Sequence, residues 1–140
     1  MLLCAAGAYV SAQQWPLESE IRLWVQVAAY PVVFLGLLLN LLPKLQFKRA
    51  GTTVNPLAPE RAQHLVTTGI YRYTRNPMYL GHALILLGWT LWLQHPLGLL
   101  WVVVYVLWVT RLQILPEEQI LARRFPEDFQ AFKQRARRWL

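Results

Sequence analysis

Residues 78–94 read MYLGHALILLGWTLWLQ and residues 97–115 read LGLLWVVVYVLWVTRLQIL, two apolar runs separated by His95 and Pro96. A bilayer crossing needs about 20 predominantly apolar residues, with a usable range near 17 to 25. Both runs fall in that range, and the turn between them is too short for anything but an antiparallel helical hairpin. Asn76-Pro77 in front of the first run is a helix-start signal, with Asn as cap and Pro as first helical residue. At the far end, Pro116-Glu117-Glu118 is a second proline-led start and opens a basic tail.

Outward from this hairpin the same pattern continues. Residues 21–42 form a third apolar run, which contains Tyr30-Pro31 near its middle, a sequence that bends a helix or frees a carbonyl. Residues 1–12 are apolar but short, and lack the basic leader of a secretory signal, so they read as a short first membrane helix. Of the 140 residues, 56% are hydrophobic and seven are Trp, more apolar surface than a soluble core of this size buries. The expected fold is all-α, a polytopic bundle of about four transmembrane helices in a single domain over residues 1–140, with an amphipathic C-terminal helix.

The net charge of +7 is distributed in a way that excludes a nucleic-acid footprint and fits a membrane. Of the 14 basic residues, all but Arg22 lie in two stretches, 43–77 and 111–140. The positive-inside rule places both in the cytoplasm, with both termini on that side. Phe125, Phe129, Phe132 and Ala136 recur at helical spacing in the tail, while Lys133, Arg135, Arg137 and Arg138 fall mostly off that face. This pattern predicts a helix lying in the headgroup plane. The lone Cys4 has no disulfide partner, and no Cys/His spacing suggests zinc, so no metal site is expected.

The polar and aromatic residues next to the cytoplasmic helix ends are His64, Tyr71, Arg75, Asn76, Tyr79, Arg111, Glu117 and Glu118. Taken singly, each has an ordinary explanation: dipole complement, interfacial aromatic, or positive anchor. Together they form a pattern. The run from His64 to Gly81, HLVTTGIYRYTRNPMYLG, followed by the paired Glu117-Glu118 and a Phe-rich tail, resembles the core of the isoprenylcysteine carboxyl methyltransferase and phospholipid methyltransferase superfamily, over about residues 51–140. Asn76 stands where eukaryotic members have His, as in many short prokaryotic members, and Pro126, Phe129 and Phe132 replace a Gly and two Tyr.

The resemblance implies S-adenosylmethionine as methyl donor and a lipid or lipophilic small molecule as acceptor: a carboxylate, an amine or a thiol. It also implies a prokaryotic inner membrane, with the site facing the cytoplasm. Carried over by position, His64 and the backbone of Leu65 and Val66 would contact the cofactor. Tyr71, Arg75, Asn76, Pro77, Tyr79 and Gly81 belong to the second motif. Arg75, Glu117 and Glu118 are the residues expected to carry the chemistry. Cofactor chemistry agrees: an ammonium asks for an acid, and a carboxylate asks for Arg75 or the amides at the Asn76-Pro77 helix start. Two other readings stand beside it, a non-catalytic membrane adaptor and a nicotinamide-dependent reductase. The absence of a glycine-rich dinucleotide fingerprint weighs against the second.

Overall fold

The computed structural model describes residues 1–13, 19–49, 65–94 and 96–140, with side chains left aside at 19–22 and 47–49. The described chain is helical throughout: α1 (Leu2–Ala12), α2 (Ser19–Arg49), a single 3₁₀ turn (Gly69–Arg72), α3 (Pro77–Leu93), α4 (Gly98–Val109), α5 (Leu115–Arg124) and α6 (Pro126–Arg135). Among the described residues there is no strand, only one isolated parallel pairing between Thr74 and Arg137.

Two helical stretches, Leu23–Gln46 and Gly98–Arg124, are long and apolar enough to cross a membrane. A soluble core helix would bury such a surface, yet only 17% of either apolar window is buried. Leu23, Trp24, Val27, Phe34 and Leu41 on α2, and Leu99, Leu100, Val103 and Leu107 on α4, all face outward. Shedding so much apolar surface into water is unfavourable by about 25 cal/mol per Å2, so lipid is the solvent this surface fits. The helices α1 and α3 are apolar but shorter, at 11 and 17 residues.

The seam between α2 and α3 is built on small residues. A Cβ placed on Gly36 would meet the Gly81 carbonyl oxygen at 2.7 Å, and one on Gly81 would meet that of Gly36 at 2.6 Å. Gly88 packs against Val33 and the carbonyl of Ala29 in the same manner, one turn-pair further along. Backbones that approach this closely gain dispersion and shape fit, the main source of helix association where no hydrophobic effect operates. Elsewhere, Cys4, Ala83, Leu86 and Tyr105 join α1, α3 and α4 in one buried cluster. Trp101 is held by a hydrogen bond from its indole Nε1 to Ser11 Oγ at 3.3 Å.

Three expectations about breaks are corrected. Helix α2 does not end at Leu42: it continues through Pro43 to Arg49, carrying both Pro31 and Pro43 inside it. Pro116 does not open a separate helix either. The chain runs from Gly98 to Arg124 without interruption, through a wide π turn at Thr110–Ile114. Such a turn releases the i→i−4 hydrogen-bond pattern just where a proline lacks its N–H and crowds the preceding carbonyl. The tail, by contrast, is not one helix. It breaks at Phe125 (φ −132°, ψ 65°), and Pro126 starts α6. The break turns Phe129, Phe132 and Ala136 inward to bury Tyr71, with Leu65, Val66, Ile70 and Leu121 around them. The Phe face is therefore spent on protein.

Candidate functional site

The polar residues of the motif gather where the start of α3, the end of the long Gly98–Arg124 helix and the last five residues meet. Gly69, at φ 63°, makes the turn that sends Tyr71 into the cluster of α6. Residues 74–76 then run alongside 136–138. Arg75 N–H donates to the Arg137 carbonyl at 2.9 Å, Thr74 Oγ1 donates to the Arg138 carbonyl at 3.3 Å, and Asn76 Nδ2 donates to the same carbonyl at 3.0 Å. Asn76 is indeed the residue before Pro77 at the start of α3, but its side chain makes no capping bond. It is engaged with the tail instead.

Arg75 is the hub. Its Nη1 donates to the Ala136 carbonyl at 2.7 Å and its Nη2 to Glu118 Oε1 at 2.8 Å. Arg138 closes the other side of the same carboxylate, with Nη2 to Oε2 at 2.8 Å and Nε to Oε1 at 3.1 Å. The Arg75 and Glu118 side chains are 9% and 13% exposed, whereas Arg138 is 37% exposed. Glu118 is thus a bridge between two guanidiniums, one inside and one at the rim. Arg75 Nε remains buried without a partner.

Glu117, the next residue back, has different company. Tyr79 donates its hydroxyl to Glu117 Oε1 at 2.6 Å, and Gln113 Nε2 donates to the same oxygen at 2.9 Å. Both donors are neutral. These carboxylates lie on the helical turn after the apolar run ends at Leu115. Burial pushes the Glu117 carboxyl above its ordinary range, against the two hydrogen bonds that pull it down. Burial acts on Glu118 in the same sense, but the bonds and charges of Arg138 and Arg75 outweigh it and hold that carboxyl below its ordinary range. The Tyr71 hydroxyl is pushed up by burial first and by the negative charge of Glu117 second, which places the two groups within electrostatic reach.

Beside this pair, between the 65–72 segment and α6, lies a cleft of about 620 Å3 lined by Leu65, Thr67, Thr68, Tyr71, Arg72 and the α6 face from Asp128 to Arg135. Its volume is in the range of small-molecule and cofactor pockets.

Of the residues singled out in the sequence, Arg75 and Glu118 meet directly, and Tyr79 meets Glu117. Tyr71 and Leu65 line the cleft, and Val66 packs behind it. Pro77 is buried at the start of α3, and Gly81 belongs to the α2–α3 seam. His64 lies outside the described residues. Arg111 is exposed on the π turn. Gln113 and Arg138 went unnoticed in the sequence. Gln113 had a legible signal, since it precedes Glu117 by four residues on one helix and shares its face. Arg138 had none beyond the positive tail. Among the described residues no cluster of His, Cys, Asp or Glu has metal-binding geometry.

Comparison with known proteins agrees with this arrangement. A protein of Haemophilus influenzae with no described function is 44% identical to this chain over 63 residues, which is 45% of this chain and the full length of that protein. No solved structure matches. The sequence profile described as phospholipid methyltransferase matches residues 24–128, from the start of the apolar part of α2 to the first turn of α6, and the chain belongs to that family of membrane methyltransferases.

Proposed function

We propose that this chain transfers a methyl group from S-adenosylmethionine to a lipophilic acceptor at the cytoplasmic face of the membrane. The observation that carries the reading is Glu117: a partly buried carboxylate aligned by two neutral donors, next to a carboxylate already neutralised by two arginines. Keeping a buried anion short of a counter-charge is unfavourable, and a cationic ligand removes the cost.

The residues present fit the cofactor. Glu117 suits its ammonium, the unpartnered Nε of Arg75 is a buried donor for its carboxylate, and the Tyr71 ring offers an aromatic face beside the cleft. When bound, S-adenosylmethionine supplies an electrophilic methyl group on a sulfonium. The protein's own part is alignment and exclusion of water. The ion pairs of Glu118 seat the tail over residues 74–76, α6 walls the cleft, and Tyr79 and Gln113 orient Glu117. Glu118 is then a positioning residue, and Glu117 the one that touches the cofactor.

In this reading α1 to α4 all cross the membrane, with residues 43–77 and the tail on the cytoplasmic side, supported by the distribution of basic residues. Reporter fusions at Gln14, Gly51, His95 and Leu140 test it: activity of an exported reporter is expected at Gln14 and His95, and a signal at Gly51 or Leu140 contradicts it. Calorimetric titration of the purified protein with S-adenosylhomocysteine tests the cofactor. Binding is expected, and absence of binding to folded protein overturns the function.

A further inference from the structure

Helix α3 carries one ionisable side chain that the site described above does not use. His82 lies one turn deeper than Tyr79 on the same face, since residues three apart are neighbours on a helix. The two rings are 6.4 Å apart between centroids, tilted by 57°. Tyr79 in turn holds Glu117 through its hydroxyl. A line of polar groups therefore runs from the cleft through Tyr71, Glu117 and Tyr79 to His82, from the surface inward along α3.

His82 is half-buried, and no hydrogen bond or ion pair to it is found among the described residues. The charges nearest to it are the Met1 amine from α1 and Lys44 from α2, both cations. On α4, Tyr105 lies close to Tyr79. The buried neighbours on either side of His82, Gly81 and Ala83, are small and apolar. An imidazole inside an apolar helix, with neither nitrogen engaged, is costly to keep unless something brought from outside engages it. Purely structural polar groups in such helices bond each other or a backbone carbonyl, as Asn40 does to Met78 at 3.4 Å.

We propose that His82 lines the acceptor end of the site and takes the proton that an amine or thiol acceptor loses on methylation. The proposal rests on the methyltransferase reading. The acceptor heteroatom forms its bond to the methyl carbon as the carbon–sulfur bond breaks. The electron pair of that bond stays on sulfur, which passes from sulfonium to neutral thioether. The acceptor's proton moves to a ring nitrogen of His82, so the positive charge lost at sulfur reappears on the imidazolium and is later released to water. A carboxylate acceptor brings no proton and has no use for His82. The acceptor class is therefore an amine or thiol on an apolar tail.

Two readouts test this, one without turnover. In nanodiscs, 15N-histidine spectra taken with S-adenosylhomocysteine present should show the His82 nitrogens shift when dodecylamine or dodecanethiol is added, while the His95 signals stay. With phosphatidylethanolamine vesicles or dodecanethiol as acceptor, His82→Gln should lower kcat on the order of 10²-fold or more, the usual size of a lost general base. It should also abolish the rise of rate with pH through the imidazole range, and leave S-adenosylhomocysteine affinity within about twofold. A His82→Gln variant that keeps the parent's rate and pH profile, nitrogens that ignore both probes, or methylation confined to carboxylates overturns the proposal. Loss of cofactor binding in the parent is a separate result, and overturns the function itself.

Discussion

The surroundings of Glu118 and Glu117 differ more than those of any other adjacent pair in the chain. Glu118 accepts from two guanidiniums, one 9% and one 37% exposed, and through them ties residues 74–76 to residues 136–138. Glu117 accepts from a phenol and an amide. One carboxylate is closed by the protein; the other is aligned and left for a cation. Successive residues on a helix point about 100° apart, so a paired-acid motif delivers one charge to each of two neighbouring compartments. The pair is a division between structure and ligand.

The largest consequence falls on the Glu118 side. Deleting residues 137–140 removes the backbone bonds from Arg75, Thr74 and Asn76, the Arg138 arm and the indole bond of Trp139 to Thr110. Phe129 and Phe132 then lose the closure that holds α6 on Tyr71. The truncated protein is expected to show full amide exchange across α6 within the dead time, with α1 to α4 still protected. Retained protection of α6 would show that its Phe face suffices.

Single substitutions come next. Glu118→Ala leaves Arg75 buried and unpaired, and breaking a buried pair from one side costs roughly 3 to 5 kcal/mol. The thermal midpoint should fall steeply. Arg138→Ala removes only the rim partner, an exposed pair worth about 0 to 1 kcal/mol, so the midpoint should move slightly. Equal losses for the two variants would mean that Glu118 does not distinguish its partners. Glu117→Gln keeps the donors, removes a charge that burial disfavours, and is expected to leave the midpoint unchanged or raised.

The smallest effect is in pH dependence, and the two acids pull opposite ways. Glu118, depressed in the folded protein, contributes stability that is present above the ordinary carboxylate range and lost as pH falls through its folded value. Glu117, raised, contributes in its protonated form, and that contribution is lost as pH rises through its folded value. The acid limb of the midpoint-against-pH curve should therefore flatten in Glu118→Gln. In Glu117→Gln the decline on rising out of the carboxylate range should flatten instead.

The apolar framework of this molecule was readable because bilayer length and positive flanks leave simple marks on a sequence. Residues 78–94 and 97–115 became the helices α3 and α4 on each side of the expected turn, and Asn76-Pro77 began the first of them. Prolines misled in both directions. Pro43 and Pro116 lie within continuous helical paths, the latter beside a π turn, while Pro126 does start a helix. A proline marks where a hydrogen bond is missing, and whether the helix stops depends on what neighbouring turns absorb. The meeting of Arg75 with Glu118 followed from the hairpin, which brings its two ends together. The tail's part did not. Its bonds run from side chains to backbone carbonyls some sixty residues away, and a carbonyl has no residue type to read. His82 was passed over because its meaning lies in a partner it lacks.

The division between the two acids is tested most directly by calorimetric titration of S-adenosylhomocysteine into Glu117→Gln, with its thermal unfolding recorded on the same sample. This product keeps the cofactor's ammonium. Losing a charge-assisted contact in a partly buried site costs on the order of 2 to 5 kcal/mol, so affinity should fall roughly 30-fold or more while the unfolding midpoint holds. A Glu117→Gln variant that binds as tightly as the parent would contradict the account, because the carboxylate left without a counter-charge would then have no part in holding the cofactor.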